Sequence, residues 1–239
     1  GLERSPGNLQ GRVVLAEVLD LAIGRANHAA QVLVDGLEYG GIQEYSYLRT
    51  TLSFLLQHER HDFIRSIAPT SLYTKEIDSR AKGALAYALA HSYYLTEDYK
   101  ASTQYLQNFG VERSLEGKVL RARIHWDQGD RAEAFALLNA GLKIAGREEA
   151  SDIFKLIVDY RTSQGDWRAA TLAAKLWRLR MPGDSLPRIY LFRLLYQQGD
   201  TAEATREAWS LIDQFSQNGD AMQDLSDQAA ELGHAELVG

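Results

Sequence analysis

The sequence predicts an all-α fold, a right-handed solenoid of stacked helix-turn-helix units. Three observations predict it. The stretch Gly129-Asp130-Arg131-Ala132-Glu133-Ala134 returns as Gly199-Asp200-Thr201-Ala202-Glu203-Ala204, and more loosely as Gly165-Asp166-Trp167-Arg168-Ala169-Ala170. The turn glycines lie 36 and then 34 residues apart, a period that marks arrays of helical hairpins. Only four prolines interrupt 239 residues, which suits long helices with short breaks.

Each copy sits between two helix-like segments. A glycine just past a helix end takes the left-handed conformation that satisfies the last carbonyls. The following aspartate then accepts a bond from the free amides that open the next helix. Asp130 with Glu133, and Asp200 with Glu203, read as capping boxes; Asp166 has Ala169 at the third position and lacks one. The alanine five after each glycine (Ala134, Ala170, Ala204) is small where two helices must approach closely.

In chain order, residues 1–7 read as a lead-in. Leu9 to Ile23 carries Val13, Val14, Ala16, Leu19 and Ala22 at helical spacing. Gly24 follows, Ala29, Val32, Leu33 and Leu37 pattern the next helix, and Gly40-Gly41 ends the first unit. The second unit is the most divergent. Tyr45 to Leu56 is one helix, with Tyr47, Leu48, Leu52, Leu55 and Leu56 on its apolar side. A turn falls at His58 to Asp62, and Phe63, Ile64 and Ile67 begin a short helix that Pro69 ends. The pattern over Thr70 to Asp78 is ambiguous. The third unit starts near Ser79, is strongly helical from Ala84 to Leu95, and places Glu97-Asp98-Tyr99 where the others have Gly-Asp; a helix from Tyr99 to Asn108 follows. Units four, five and six cover about 115–148, 150–183 and 184–217. Pro182 closes unit five, and Pro187 falls in the first turn of the next helix, where its missing amide costs little. Leu232-Gly233-His234-Ala235-Glu236 restates the turn and opens a partial seventh unit. The chain thus divides into divergent N-terminal repeats (1–78), regular repeats (79–217) and a partial repeat or capping helix (218–239), in one continuous solenoid.

These residues resemble the tetratricopeptide repeat family. The likeness rests on hairpins of about 34 residues, a small residue seven before the turn glycine (Ala122), an aromatic two after it (Trp167, with Tyr99 in unit three), the alanine five after, and Pro182 at a unit end. It is close over 82–217. The site four before the glycine usually carries tyrosine; Tyr93 fits, whereas His125, Arg161 and Leu195 depart from the pattern, and the first-helix tryptophan is missing. The resemblance implies a non-catalytic scaffold whose concave face holds a peptide or helix of another protein. Units one and four also resemble bacterial repeat proteins of pilus biogenesis and exopolysaccharide secretion, in Val32-Leu33 with Gly36-Leu37 and Leu137-Leu138 with Gly141-Leu142. An envelope assembly or export factor is one alternative that follows. A regulatory repeat domain of a larger enzyme or transcription factor is another.

Sites three, six and ten before the turn fall on one face of each first helix. They read Tyr94, His91 and Tyr87, then Trp126, Arg123 and Val119, then Thr162, Asp159 and Lys155, then Tyr196, Arg193 and Ile189. Aromatics and arginine carry much of the binding energy at interfaces. The expected binding groove is therefore Tyr87, His91, Tyr94, Arg123, Trp126, Lys155, Asp159, Arg193 and Tyr196. The competing reading packs the aromatics between units as core. The carboxylate clamp of the family's chaperone-binding members does not line up, because no asparagine lies on this face.

Composition narrows the function classes. Net charge is -6, which argues against nucleic acid as the main ligand. There is no cysteine, hence no disulfide, thiol catalysis or cysteine-bound zinc. No apolar run approaches the roughly 18 residues of a membrane helix, and no signal peptide is visible. The first residue is glycine rather than methionine, as expected of a processed form or a fragment. Cytoplasm and periplasm are both compatible with this composition. His58, Glu59, His61 and Asp62 form the one dense set of metal-ligand types. Their histidines are three apart at a turn, not four apart on a helix, so solvated turn residues are the better reading. No phosphate loop or Gly-x-Ser-x-Gly elbow is present, and Glu148-Glu149 read as helix-end caps. The sequence points to no catalysis, no cofactor and no metal, and to a protein or peptide partner.

Overall fold

The computed structural model describes Ser5 and residues 7–22, 24–73 and 77–231. Among these residues the chain is all-helical, with thirteen α-helices and no strand. It forms two compact units, residues 1–137 and 138–239. The first begins with α1 (Leu9–Glu17), continued by a π turn over Val18–Ala22, then α2 (Ala26–Gly36) and a second π turn over Leu37–Gly41. It goes on through α3 (Tyr45–Gln57), α4 (His61–Leu72), α5 (Ser79–Leu95), α6 (Tyr99–Asn108), a 3-10 turn (Val111–Arg113) and α7 (Leu115–Asp127). α8 (Arg131–Leu142) carries the chain into the second unit, which holds α9 (Arg147–Ser163), α10 (Trp167–Arg180), α11 (Leu186–Gln197), α12 (Thr201–Phe215) and α13 (Gly219–Glu231). The restated turn at 232–236 and Ile23 lie outside the described residues, as does the middle of 70–78.

One turn recurs. The Gly129 amide donates to the Trp126 carbonyl (3.0 Å) and the Asp130 amide to that of His125 (2.8 Å). Gly165 and Asp166 repeat this on Thr162 and Arg161, and Gly199 and Asp200 on Tyr196 and Leu195. These paired bonds satisfy carbonyls that a helix end leaves open, and they require positive φ at the first residue. The three glycines have φ of 86°, 73° and 81°. Glu97 with Asp98, and Glu59 with Arg60, make the same two bonds at φ of 62° and 55°. At Gly24 the turn is widened by the preceding π turn, and the Arg25 amide reaches back to Leu19 (2.7 Å).

The residue five after each turn position is the test of register. Ala29, Ile64, Ser102, Ala134, Ala170 and Ala204 are each 0% exposed. The residue at this place is therefore buried at all six turns, with Ile64 and Ser102 filling the place of alanine, and five of the hairpins pack helix on helix (α1–α2, α3–α4, α5–α6, α9–α10 and α11–α12).

Two expectations need correction. Pro69 does not end a helix; α4 runs through it to Leu72. The ring removes one amide donor and crowds the carbonyl a turn earlier. Burial of Ala68 before it and of Ser71 and Leu72 beyond it, with α4 packed on α5, offsets that loss. The capping boxes form only by half. Asp130 and Asp200 accept from the amides of Glu133 (3.3 Å) and Glu203 (3.1 Å), and Asp166 accepts from Ala169 (3.1 Å) in the same way. The returning bond is not made, because each aspartate's own amide is already committed to the preceding helix. Glu203 pairs instead with Lys175 (3.0 Å) and Glu133 with Arg121 (3.9 Å).

Within each unit, helices pack on near neighbours in sequence. In the first, α1, α3 and α5 contact their own hairpin partners and the next first helix, with α5 reaching α7. In the second, α10 lies between α9 and α11, and α11 contacts α12 and α13. The first core centres on Leu33, Leu48, Leu55, Ile64, Leu85 and Leu89; a second centres on Phe154, Trp177 and Met181.

Candidate functional site

In the first unit, α5 presents Tyr87, His91 and Tyr94 at i, i+4 and i+7, which places them on one face. Ring centroids are 5.7 Å apart for Tyr87–His91 and 6.1 Å for His91–Tyr94, and Tyr99 extends the ladder 6.0 Å from Tyr94. All four are half-buried. Burial pulls the His91 pKa down to about 4, and the charges of Arg123 and His61 push the same way. The imidazole is therefore neutral at pH 7. Burial also raises the Tyr87 pKa, against a smaller opposite effect of Arg123. Arg123 thus sits beside this ladder.

Trp126 is neither fully buried nor exposed. The Arg131 guanidinium lies 3.8 Å from its ring centroid and Phe135 meets it edge-on at 5.9 Å. The indole therefore packs on the first turn of its own hairpin partner and keeps one part open.

In the second unit, Asp159 of α9 and Arg193 of α11 approach to 3.8 Å. Burial raises the Asp159 pKa, and Arg193 and Lys155 counter it. Lys155 is exposed. Arg193 also lies 4.8 Å from the Tyr190 ring centroid, and Tyr196 contacts Phe192 at 6.1 Å. Lys155 and Arg193 thus both lie near Asp159. Ile189 does not join them, since it is buried. Tyr190, one residue on, takes its place beside Arg193. Sequence reasoning missed Tyr190, Tyr99 and His61. A signal for Tyr190 existed: it lies three before Arg193, on the same face.

The site four before the turn, where the sequence departs from tyrosine, has a local role. His125 pairs with Asp130 (3.3 Å) and Arg161 with Asp166 (3.4 Å), each pair bridging one turn. Of the metal-ligand types near residue 60, His58 pairs with Asp20 (3.1 Å) and packs on Phe54, while His61 and Asp62 open α4. Among the described residues no group of three such ligands converges. Glu148 and Glu149 lie exposed in the first turn of α9, where carboxylates favour the helix dipole. Among the described residues no helix is long and apolar enough to cross a membrane. No protein-family model matches the chain, and no curated protein matches it either.

Proposed function

We propose that this chain is a non-catalytic scaffold of the tetratricopeptide type, its hairpins stacked as a right-handed solenoid that holds a segment of another protein. The recurring turn, the buried residue five after it and the nearest-neighbour packing within each unit support the architecture. The observation that carries the function is the chemistry left over on the first helices. Tyr87, His91 and Tyr94 with Arg123 in one unit, and Lys155, Asp159, Arg193 and Tyr196 in the other, are polar or aromatic residues that keep part of their surface open, Tyr87 and Tyr94 while packing against the first core. Half-buried aromatics and arginine lose little side-chain freedom on binding and contribute large contacts.

The test is affinity capture from a lysate of the source cell, with the parent chain and a Tyr94→Ala, Trp126→Ala, Arg193→Ala variant whose helicity is unchanged. The reading expects a protein retained by the parent and lost by the variant. Equal retention by both would remove these faces from the interface.

A further inference from the structure

The first unit contains a cleft beside, but mostly separate from, the ladder on α5. One compartment, of about 460 Å³, lies between α3, α5 and the connection from Phe109 to Glu116, and its apolar wall includes Leu52, Leu56, Tyr87 and Phe109. A second, of about 660 Å³, lies along α1 and α3, with Val13, Leu33 and Phe54 in its wall. Both compartments are lined by Tyr45, Arg49, Ser53 and Arg80. Two arginines therefore stand where the compartments meet. The Arg80 guanidinium lies 4.0 Å from the centroid of the Tyr45 ring, which holds it in place. Arg49 is exposed and makes no ion pair or hydrogen bond among the described residues. Each compartment has an acid of its own, Glu116 in the first and Glu17 in the second. Gly83 lies in the first wall, where an added Cβ would meet nothing within 4 Å, so this wall is open rather than packed.

Two bases thus line both compartments and one acid lines each, with apolar surface in both walls. In an extended peptide, residues i and i±2 point the same way, and four steps span about 14 Å. We propose that this cleft takes an extended peptide carrying one carboxylate between two aliphatic side chains at i±2, with a basic residue beyond each. The carboxylate meets Arg49 and Arg80, whose forked donors suit it and whose charge is otherwise unpaired or only ring-stacked. The aliphatic side chains enter the two compartments, and the basic ends face Glu17 and Glu116. This rests on the reading of the chain as a binder of protein segments and names the sequence class of one such segment.

The probe is fluorescein-labelled Lys-Ser-Leu-Ser-Glu-Ser-Leu-Ser-Lys, blocked at both ends, titrated with the intact chain by fluorescence anisotropy. Saturable binding is expected. Replacing the peptide's glutamate by glutamine should weaken it roughly tenfold or more, as should Arg49→Gln with Arg80→Gln. Both arginines are exposed, so the double variant keeps its core, and the change on the peptide cannot unfold the protein at all. Equal binding of the glutamate and glutamine peptides would overturn the proposal. So would unchanged binding to the double variant, polyglutamate bound as tightly as the probe, or no saturation below about 1 mM. A cellular partner that is lost with the Tyr94, Trp126 and Arg193 variant but captured normally by the double variant would leave the scaffold reading intact and refute only this site.

Discussion

The hairpins of α3–α6 and those of α9–α12 share a backbone but not a chemistry. In the first pair the turn position with positive φ is Glu59 or Glu97; in the second it is Gly165 or Gly199. All four make the same two hydrogen bonds. Left-handed backbone is disfavoured for a side chain with a Cβ by about 1–2 kcal/mol per residue. The glutamate turns persist because open carbonyls and the fully buried Ile64 and Ser102 hold the hairpins closed from both sides. Glycine lowers the strain of this turn; it does not define it. The faces differ in the same spirit. On α5 burial removes charge, leaving His91 neutral, whereas on α9 and α11 Asp159 stays next to Arg193.

That contrast can be broken by acid. The folded-state pKa of His91 is about 4, below the roughly 6.5 of an unfolded chain. Its contribution is complete above pH 6.5 and is lost as pH falls toward 4, up to on the order of 3 kcal/mol. Denaturant melts of the parent and His91→Gln should therefore diverge across this window, with the variant the less acid-sensitive. Parallel curves would show that His91 accepts its proton freely.

Next in size is the register of the second pair. Ala170 is fully buried in the α9–α10 hairpin. Ala170→Leu should overpack it and lower stability by about 1–3 kcal/mol, read from the midpoint of guanidinium unfolding; an unchanged midpoint would contradict close helix approach there. Removing the cap with Asp166→Ala frees the Ala169 amide and should lower stability by about 1 kcal/mol. The smallest effect is expected at Glu203. Since its carboxylate does not return to the Asp200 amide, Glu203→Gln should change stability by less than about 0.5 kcal/mol through the partly exposed Lys175 pair alone.

Much of the backbone was legible because the turn leaves its mark on adjacent residues. The Gly-Asp copies, Glu97-Asp98 and the alanine five later located most helix ends. What was not legible depended on competition between neighbours. Pro69 reads as a stop in isolation, and burial of Ser71 and Leu72, with α4 packed on α5, carries the helix past it. The π turns at Val18–Ala22 and Leu37–Gly41 leave no residue signature. A capping box can be read from residue types, but not that its second donor is already spent. At the candidate site, helical spacing picked out Lys155, Asp159 and Arg193, yet a shift of one position buried Ile189 and brought Tyr190 to Arg193. The cleft around Arg49 and Arg80 joins residues 31 apart on different helices, which no local pattern reports.

The most direct test of the common hairpin is a reciprocal exchange at the turn. Glu97→Gly and Gly165→Glu would be unfolded in guanidinium beside the parent. The shared turn predicts opposite signs: relief of strain raises stability for Glu97→Gly, and Gly165→Glu lowers it, each by about 1 kcal/mol. Shifts of the same sign, or none at either site, would contradict it, because the two positions would then not be copies of one turn.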